Sequence, residues 1–325
     1  MRLLPTAPAP AVPAVVVPLV LLAVVVLGGC GATPLRSPDA SGGLFAGRAD
    51  LRGAGYVVGG GPRTPLRLLC QMTIAAVQAA GGNATDECGK VGGADVRQVG
   101  ESDVDTGWAS LRTLGPDGSP TVDGEPADPP ADLAVVRARD AARGVTWLPP
   151  TAFGDTDVVV ARTPGPLSGL AASPVPTTLC APPRAVPGTA ATPGTGAVLA
   201  AYGPWTTTVL PMDTAAVLAG VATGRCTAGI VPGSSGRVPA LGLAVLDDDR
   251  GALTGAPPGP RGYAPLLRTG LLEGRPAMAG LLGEITRRLD GPAMRGMVRE
   301  VEVDGRDPRD VARRWLLAQG LIATG

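Results

Sequence analysis

Histidine is absent from this sequence of 325 residues. Histidine is the usual general base near neutral pH and the commonest zinc ligand in proteins. Its absence excludes nucleophilic sites of the Ser/His/Asp and Cys/His kinds. The chain also has no G-x-S-x-G elbow, no P-loop and no G-x-G-x-x-G turn after a strand. We therefore predict that the protein is not an enzyme and that it carries no cofactor and no metal ion.

Two groupings of potentially reactive side chains do not change that prediction. Asp103 and Asp105 could share acid–base work, but we expect them to end a strand in solvent. Ser234 and Ser235 lie in a predicted turn, and the sequence places no base beside them to activate a hydroxyl.

An excess of charge of either sign is also lacking. The chain has 28 basic and 28 acidic residues and an isoelectric point near 6.3, so the electrostatic argument for nucleic-acid binding fails. Aromatic residues are scarce, with four tryptophans, three tyrosines and two phenylalanines. Glycine and proline are abundant, but periodic apolar segments indicate a folded core. At this length two lobes or two domains are expected.

The N-terminus has the pattern of an export signal. Arg2 is its only charge, Ala11 to Leu27 form the apolar stretch, and Leu27-Gly28-Gly29-Cys30 form a lipobox. We therefore expect residues 1–30 to be a lipoprotein signal peptide with a lipidated Cys30.

A transmembrane anchor is the alternative interpretation of the same stretch. Pro13 and Pro18 interrupt it, and its length of about 17 residues is less than the roughly 20 that a helix needs to cross a bilayer. We expect residues 31–48, which are mostly small or polar, to form a flexible tether.

The clearest pattern lies between Leu241 and Ile322. An apolar strand at Leu243 to Leu246 ends in three aspartates, and a second strand is predicted at Tyr263 to Arg268. The last of three following helices has Asp307 as its N-cap and Gly320 as its stop. All three helices carry a proline in the first turn, at Pro276, Pro292 and Pro308.

The order and spacing of these segments resemble the solute receptors of ABC importers for glycine betaine, choline and carnitine. In that family a strand ending in leucine and two acidic residues precedes a Pro-Val-Val-Arg-like strand and a Leu-Asp segment followed by methionine. The family ends in Val-Asp-Gly-x-x-Pro-x-x-Val-Ala-x-x-Trp-Leu-x-x-x-Gly-Leu-Ile. The counterparts here are Leu246-Asp247-Asp248, Pro265 to Arg268, Leu289-Asp290 with Met294, and Val303-Asp304-Gly305 through Ile322.

Two further stretches extend the resemblance. Gly144 to Asp157 resembles the family's Gly-Ile-x-Trp-Leu-x-Pro-Ala-Pro-Phe-Asn-Asn-Thr-Tyr, and Val158 to Arg162 follows as a strand that crosses to the second lobe. The match over Val57 to Thr113 is looser. It keeps Gly59, Thr64, Asp103, Asp105, Trp108 and Thr113.

The resemblance implies an α/β, two-lobed periplasmic-binding-protein fold of type II with two crossing hinge strands. Lobe one would comprise residues 49–161 plus 251–325, and lobe two residues 162–250. The hinge strands would be Val158 to Arg162 and Leu243 to Leu246. A ligand would lie between the lobes, and closure around it would present a surface to a membrane permease.

Four cysteines remain beyond Cys30, and an even number in an exported protein suggests two disulfides. Three pairings are possible. Proximity within one lobe favours Cys70 with Cys88 and Cys180 with Cys226. A metal site is the alternative, but the chain has no C-x-x-C spacing and no histidine.

The ligand site departs from the family. Quaternary ammonium groups are usually held by several aromatic rings, and the family's tyrosines are replaced here by Gly107, Ser110, Asp157 and Pro232. Trp108 is the one ring retained nearby, although a lone tryptophan is more often packed in a core. Tyr202 and Trp205 flank a Gly-Pro turn and could line the cleft, but a surface turn is the favoured interpretation. The scaffold is thus retained while the aromatic cage is lost.

The remaining candidates for ligand contact lie at the lobe junction. Asp157 could pair directly with an ammonium group, which would favour a primary or secondary amine over a methylated one. Arg63 or Arg237 could hold an anionic group. The full set of predicted ligand-binding residues is Thr64, Trp108, Thr156, Asp157, Ser234 and Ser235.

The resemblance implies a solute-binding lipoprotein that is exported and anchored by lipid to the outer face of the cell membrane. It would bind glycine betaine or a related small amine and deliver it to an ABC permease, and no nucleic acid is expected as a partner. The alternative is an envelope scaffold that keeps the fold without a transport ligand. Loss of the tyrosines favours the scaffold, and the retained Thr64, Thr156 and hinge strands favour the receptor.

Overall fold

A computed structural model describes residues 43–48, 51–89, 99–100, 104–114, 132–154, 156–182, 193–202, 207–253 and 262–323. The predicted signal peptide, Cys30 and Asp103 lie outside the described residues. Among the helices that the structure describes, none combines the length and the apolar character needed to cross a bilayer.

The strands form two five-stranded sheets, and the fold is a mixed α/β fold of two lobes, as predicted. The strands are β1 (Gly55–Gly60), β2 (Asn83–Cys88), β3 (Thr106–Ser110), β4 (Val145–Trp147), β5 (Asp157–Ala161), β6 (Thr177–Ala181), β7 (Thr207–Pro211), β8 (Ala228–Pro232), β9 (Ala244–Val245) and β10 (Tyr263–Arg268). The first sheet has the order β2-β1-β3-β10-β4 and the second β7-β6-β8-β5-β9.

The helices cover both sheets, and a 3-10 turn at Leu111–Thr113 follows β3. They are α1 (Gly43–Arg48), α2 (Thr64–Ala79), α3 (Leu133–Ala141), α4 (Leu167–Ala171), α5 (Pro193–Tyr202), α6 (Thr214–Thr223), α7 (Arg237–Ala240), α8 (Thr269–Gly274), α9 (Ala277–Arg288), α10 (Gly291–Glu302) and α11 (Pro308–Ala318). We call the first sheet with α1–α3 and α8–α11 the first lobe, and the second sheet with α4–α7 the second lobe.

Helix α2 is the centre of the first lobe. Pro65 lies in its first turn, where a missing N–H costs nothing, and apolar residues then cover almost its whole circumference. A helix that is apolar on all sides must be buried on all sides. It packs on the first sheet with one side and on α9, α10 and α11 with the other.

The last three helices begin within one residue of the prolines that predicted them, and the last one ends before the predicted stop at Gly320. Asp290 caps α10 by accepting from the Ala293 N–H at 2.8 Å. Asp307 caps α11 by accepting from the Arg309 N–H at 2.7 Å. Gly320 follows α11 with a positive φ of 67°, which a glycine adopts without strain.

The expected tether is folded over its last six residues. Residues 43–48 form α1, and Phe45 is 1% exposed. The Leu44 and Phe45 N–H groups donate to the carbonyl oxygens of Gly320 and Leu321. The apolar Leu44-Phe45 pair, within an otherwise polar stretch, is the physical reason, because it can be buried against the C-terminus.

The predicted boundary between the lobes is also corrected. β5 was expected at the end of lobe one, but it pairs antiparallel with β8 and β9 and belongs to the second sheet. The two predicted hinge strands are neighbours there, with Val160 opposite Val245. The chain therefore crosses between the sheets before Asp157 and after Val245.

Both predicted disulfides are present. Cys70 in α2 is bonded to Cys88 in β2, and Cys180 in β6 is bonded to Cys226 after α6. Each bond stays within one lobe. Asp86 lies beside the first disulfide, and Cys70, Asp86 and Cys88 together form a grouping that could suit a metal ion. The sulfur atoms of both cysteines, however, are bonded to each other in the disulfide.

The lobes contact each other closely at a loop of the second lobe, Gly233 to Gly236. A Cβ added to Gly236 would lie 2.3 Å from the Arg299 backbone nitrogen in α10. Only glycine, which has no Cβ, permits the two backbones to approach so closely here. This contact joins the second lobe to a helix of the first.

We expect C180S/C226S to lower the free energy of unfolding by about 2–4 kcal/mol, because the bond constrains the unfolded chain. The matched comparison is C70S/C88S, whose cysteines are 18 residues apart, against 46 for the other pair. Loop-closure entropy predicts the smaller loss for the shorter separation. Urea denaturation of both variants measures the difference, and an unchanged midpoint for both would contradict the expectation.

We expect Gly236→Ala to destabilise the folded protein by about 1–3 kcal/mol, because the added methyl overlaps α10. Gly280→Ala is the control. It lies on an exposed side of α9 with nothing within 4 Å of the added Cβ, and it should be neutral or stabilising by up to about 1 kcal/mol. Urea denaturation midpoints of the two variants measure this difference. Equal stabilities would show that the close contact between Gly236 and α10 does not matter for folding.

Candidate functional site

The two sheets direct the predicted ligand-contacting segments toward one junction. β1 and β3 are parallel, so Gly60, which leads to α2, and Ser110, which leads to the 3-10 turn, end at the same edge of the first sheet. In the second sheet the start of β5 lies opposite the end of β8, with Asp157 facing Pro232 in the register. Ligands of open α/β sheets bind at such carboxyl ends.

An ion pair joins the lobes at this junction. The Arg112 guanidinium Nη2 lies 2.7 Å from Asp157 Oδ2. The two side chains are only 16% and 17% exposed, so water screens the pair less than at an open surface. Asp157 is the first residue of β5, and Arg112 comes from the turn after β3.

Arg112 is one of two arginines at the junction, with Arg295, that the sequence interpretation missed. The sequence indicates Arg112 only indirectly: an acidic residue predicted at a lobe junction in place of a tyrosine needs a counter-ion. Several arginines were equally available along the chain. Only the fold shows which guanidinium reaches Asp157.

The glycine-serine loop beside Asp157 is held from both lobes. The Gly233 N–H donates to the Thr156 carbonyl at 2.8 Å, and Arg295 Nη1 of α10 donates to the Gly233 carbonyl at 3.1 Å. Burial lowers the pKa of the Arg295 guanidinium, against the opposing effect of Asp290. Ser234 and Ser235 are half-buried within this loop.

A cavity of about 390 Å³ opens beside Asp157. Its polar side chains are three carboxylates and one guanidinium, and its remaining walls are aliphatic. Among the described residues that line it, none is aromatic. They are Asp157, Val158, Val159, Leu167, Val245, Leu246, Asp247, Asp248, Leu253 and Arg295.

One of the three carboxylates has a structural role. Asp248 accepts from the Tyr202 hydroxyl at 2.7 Å and from the Ala252 and Leu253 N–H groups. Burial and the hydrogen bond to Asp248 raise the pKa of Tyr202. Tyr202, expected at a surface turn, is therefore buried and ordered by this acid.

Trp108 does not supply a ring to the junction, contrary to the expectation. Its side chain is 2% exposed in the core between the first sheet and α2, and its Nε1 donates to Thr73 Oγ1 at 2.9 Å. The nearby Asp105 was expected in solvent, but it is buried. It accepts from the Val57 N–H at 2.7 Å and pairs with Arg268.

The other predicted residues are distributed around the junction. Thr64 is half-buried at the first position of α2, and Thr156 is buried and adjacent to Asp157. Arg63 and Arg237 are exposed. The structure thus brings Thr156, Asp157 and the serine loop together, and it adds Arg112 and Arg295.

Comparison with solved structures supports the fold. The chain is similar to apo YehZ from Escherichia coli, with a TM-score of 0.65 and 21% identity over 82% of this chain and 99% of that one. It is also similar to a glycine betaine/carnitine/choline ABC transporter structure, with a TM-score of 0.64 and 16% identity over 82% and 98% of the two chains. Comparison with curated proteins gives no match.

A family model provides the assignment. The model of the substrate-binding domain of ABC-type glycine betaine transport systems, OpuAC, matches residues 57–318. The match includes both sheets, both disulfides and the lobe junction. This chain therefore belongs to the family of substrate-binding domains of ABC-type glycine betaine transport systems.

Proposed function

We propose that this protein is the solute-binding lipoprotein of an ABC importer and that it binds a small amine between its lobes for delivery to a membrane permease. The observation that carries the proposal is the Arg112–Asp157 pair at the lobe junction, beside a cavity of small-molecule size. The preferred ligand carries a primary or secondary ammonium and a carboxylate.

The ammonium preference follows from the chemistry of the junction. A quaternary ammonium has no N–H to donate and is best held by aromatic faces, which the described cavity lining does not provide. A primary or secondary ammonium donates charge-assisted hydrogen bonds to a carboxylate. Asp157 supplies that carboxylate in a partly buried position.

The carboxylate preference follows from charge balance. If an ammonium takes the place of Arg112 at Asp157, the partly buried guanidinium loses its contact with that carboxylate, which is costly. A ligand carboxylate that binds Arg112 or Arg295 restores the balance. The aliphatic walls formed by Val158, Leu167 and Leu253 would contact the carbon skeleton of such a zwitterion.

The exchange also provides a way to report occupancy. Arg112 belongs to the first lobe and Asp157 to the second, so ligand that enters the pair changes an interaction between the lobes. A change of lobe arrangement is what a permease can sense. The lipobox at Cys30 would hold the exported protein at the outer face of the membrane beside that partner.

A second candidate function is an envelope scaffold without a transport ligand. The ion pair between the lobes and the tight packing of Gly236 on α10 favour it, because both hold the lobes together without a solute.

The test is calorimetric titration of the oxidised, unlipidated chain from Gly31 onward with glycine betaine, choline, carnitine, proline and small primary amines. We expect binding of proline or another zwitterion with a free N–H, and weaker binding of the methylated compounds. Asp157→Asn should weaken binding by about 10-fold to 100-fold, because a charge-assisted hydrogen bond is lost. Asp310→Asn, exposed on α11, is the matched control and should bind as the wild type does.

If glycine betaine or choline binds tightly to both the wild type and Asp157→Asn, the proposed ligand class is contradicted, but the role in an ABC importer still stands. An absence of heat with every compound, from protein whose circular dichroism shows a folded state, would favour the scaffold.

A further inference from the structure

A second and larger cavity lies in the first lobe, at the opposite end of the first sheet from the lobe junction. Its volume is about 570 Å³. Gly55 and Tyr56 at the start of β1 line it, whereas the lobe junction follows the other end of that strand. The remaining polar side chains that line it are those of Arg143, Arg268 and Arg275.

Tyr56 marks this cavity as unusual. The side chain is 3% exposed, and its hydroxyl has no hydrogen-bond partner among the described residues. Burial raises the pKa of Tyr56, and the nearby Arg275 acts in the opposite direction. Buried hydroxyl groups are almost always hydrogen-bonded, so the Tyr56 hydroxyl needs an acceptor that the described residues do not supply.

The arginines around the cavity outnumber the acids that neutralise them. Asp105 pairs with Arg268, but its other oxygen also accepts from the Val57 N–H, and Arg268 Nε is buried without a hydrogen-bond partner among the described residues. Arg275 forms no ion pair within the described part of the chain. No carboxylate is among the described lining residues.

The third arginine is only weakly neutralised. Asp140 lies 3.7 Å from Arg143 Nη1, but it is held more closely by Arg139 at 2.7 Å and by Trp147 Nε1 at 2.8 Å. Arg143 therefore keeps most of its capacity to attract an anion.

We propose that this cavity binds a phosphate group. All the polar side chains that line it are hydrogen-bond donors, and guanidinium groups match phosphate oxygens in geometry and charge. Tyr56 donates its hydroxyl to one phosphate oxygen, and Arg143, Arg268 and Arg275 neutralise the charge. Free phosphate and the phosphodiester of an anionic lipid headgroup share this chemistry, and the site is separate from the amine site.

The test uses the same oxidised chain from Gly31 onward. Binding of inorganic phosphate is measured by calorimetry, and binding of a headgroup is measured by co-flotation with phosphatidylglycerol vesicles, with phosphatidylcholine vesicles as the neutral comparison. We expect saturable binding in one of these two arms. Arg275→Gln should weaken it by about tenfold or more, because a charge-assisted contact is lost.

Two further variants separate the site from general charge and from folding. Arg162→Gln removes one exposed positive charge from the second lobe and should leave binding unchanged. Tyr56→Phe should weaken binding severalfold while the thermal midpoint stays near that of the wild type, because the hydroxyl has no internal partner to lose. Asp157→Asn should not alter phosphate binding.

Binding in the phosphate arm identifies a soluble ligand, and binding in the vesicle arm alone identifies a headgroup. Either supports the site when Arg275→Gln removes it. The proposal is overturned if neither probe binds the folded wild type, or if Arg275→Gln and Arg162→Gln bind equally.

Discussion

Close backbone approach at the lobe junction is the constraint on which the rest of this structure depends. Three glycines of this region have no room for a side chain. An added Cβ would lie 2.4 Å from the Thr151 carbonyl oxygen at Gly262, 2.6 Å from the Thr156 carbonyl oxygen at Gly233, and 2.3 Å from the Arg299 nitrogen at Gly236. The segments that connect the two sheets can therefore lie directly against each other, as the bridge between Gly154 and Gly262 shows.

That close approach brings charged side chains of different lobes within reach. Arg112 and Asp157 are 45 residues apart in sequence but meet at 2.7 Å. A charge pair at the junction, in place of the aromatic rings that the sequence resemblance implied, changes what the junction can recognise. Aromatic faces attract a cation without regard to its N–H groups, whereas a carboxylate also selects for hydrogen-bond donors.

The two cavities differ in electrostatic character. The cavity beside Asp157 has more carboxylates than guanidinium groups, and the cavity beside Tyr56 has arginines and no carboxylate among its described lining residues. The net charge of the chain is zero, so this separation is invisible in the composition. It arises because the fold gathers carboxylates of the second lobe around one cavity and arginines of the first lobe around the other.

Much of the fold could be predicted from local sequence. The helices after Pro276, the cap at Asp307, and the alternation of strands and helices all depend on neighbours in the chain, which a single sequence displays. The disulfides followed from the grouping of cysteines within lobes. The site could be predicted only in part, since the positions of Thr156, Asp157 and the serine loop followed from a motif.

The tertiary structure decided what the motif could not. Trp108 is in a segment that leads to the junction, yet its ring points into the core, because the alternation of a strand sends neighbouring side chains to opposite faces. Residues 43–48 are folded because the C-terminus supplies a surface for Phe45. The sequence by itself determined the scaffold, through periodicity, caps and glycines. The pairing of Asp157 with Arg112 and the burial of Tyr56 were decided only by contacts between distant segments, which local sequence does not encode.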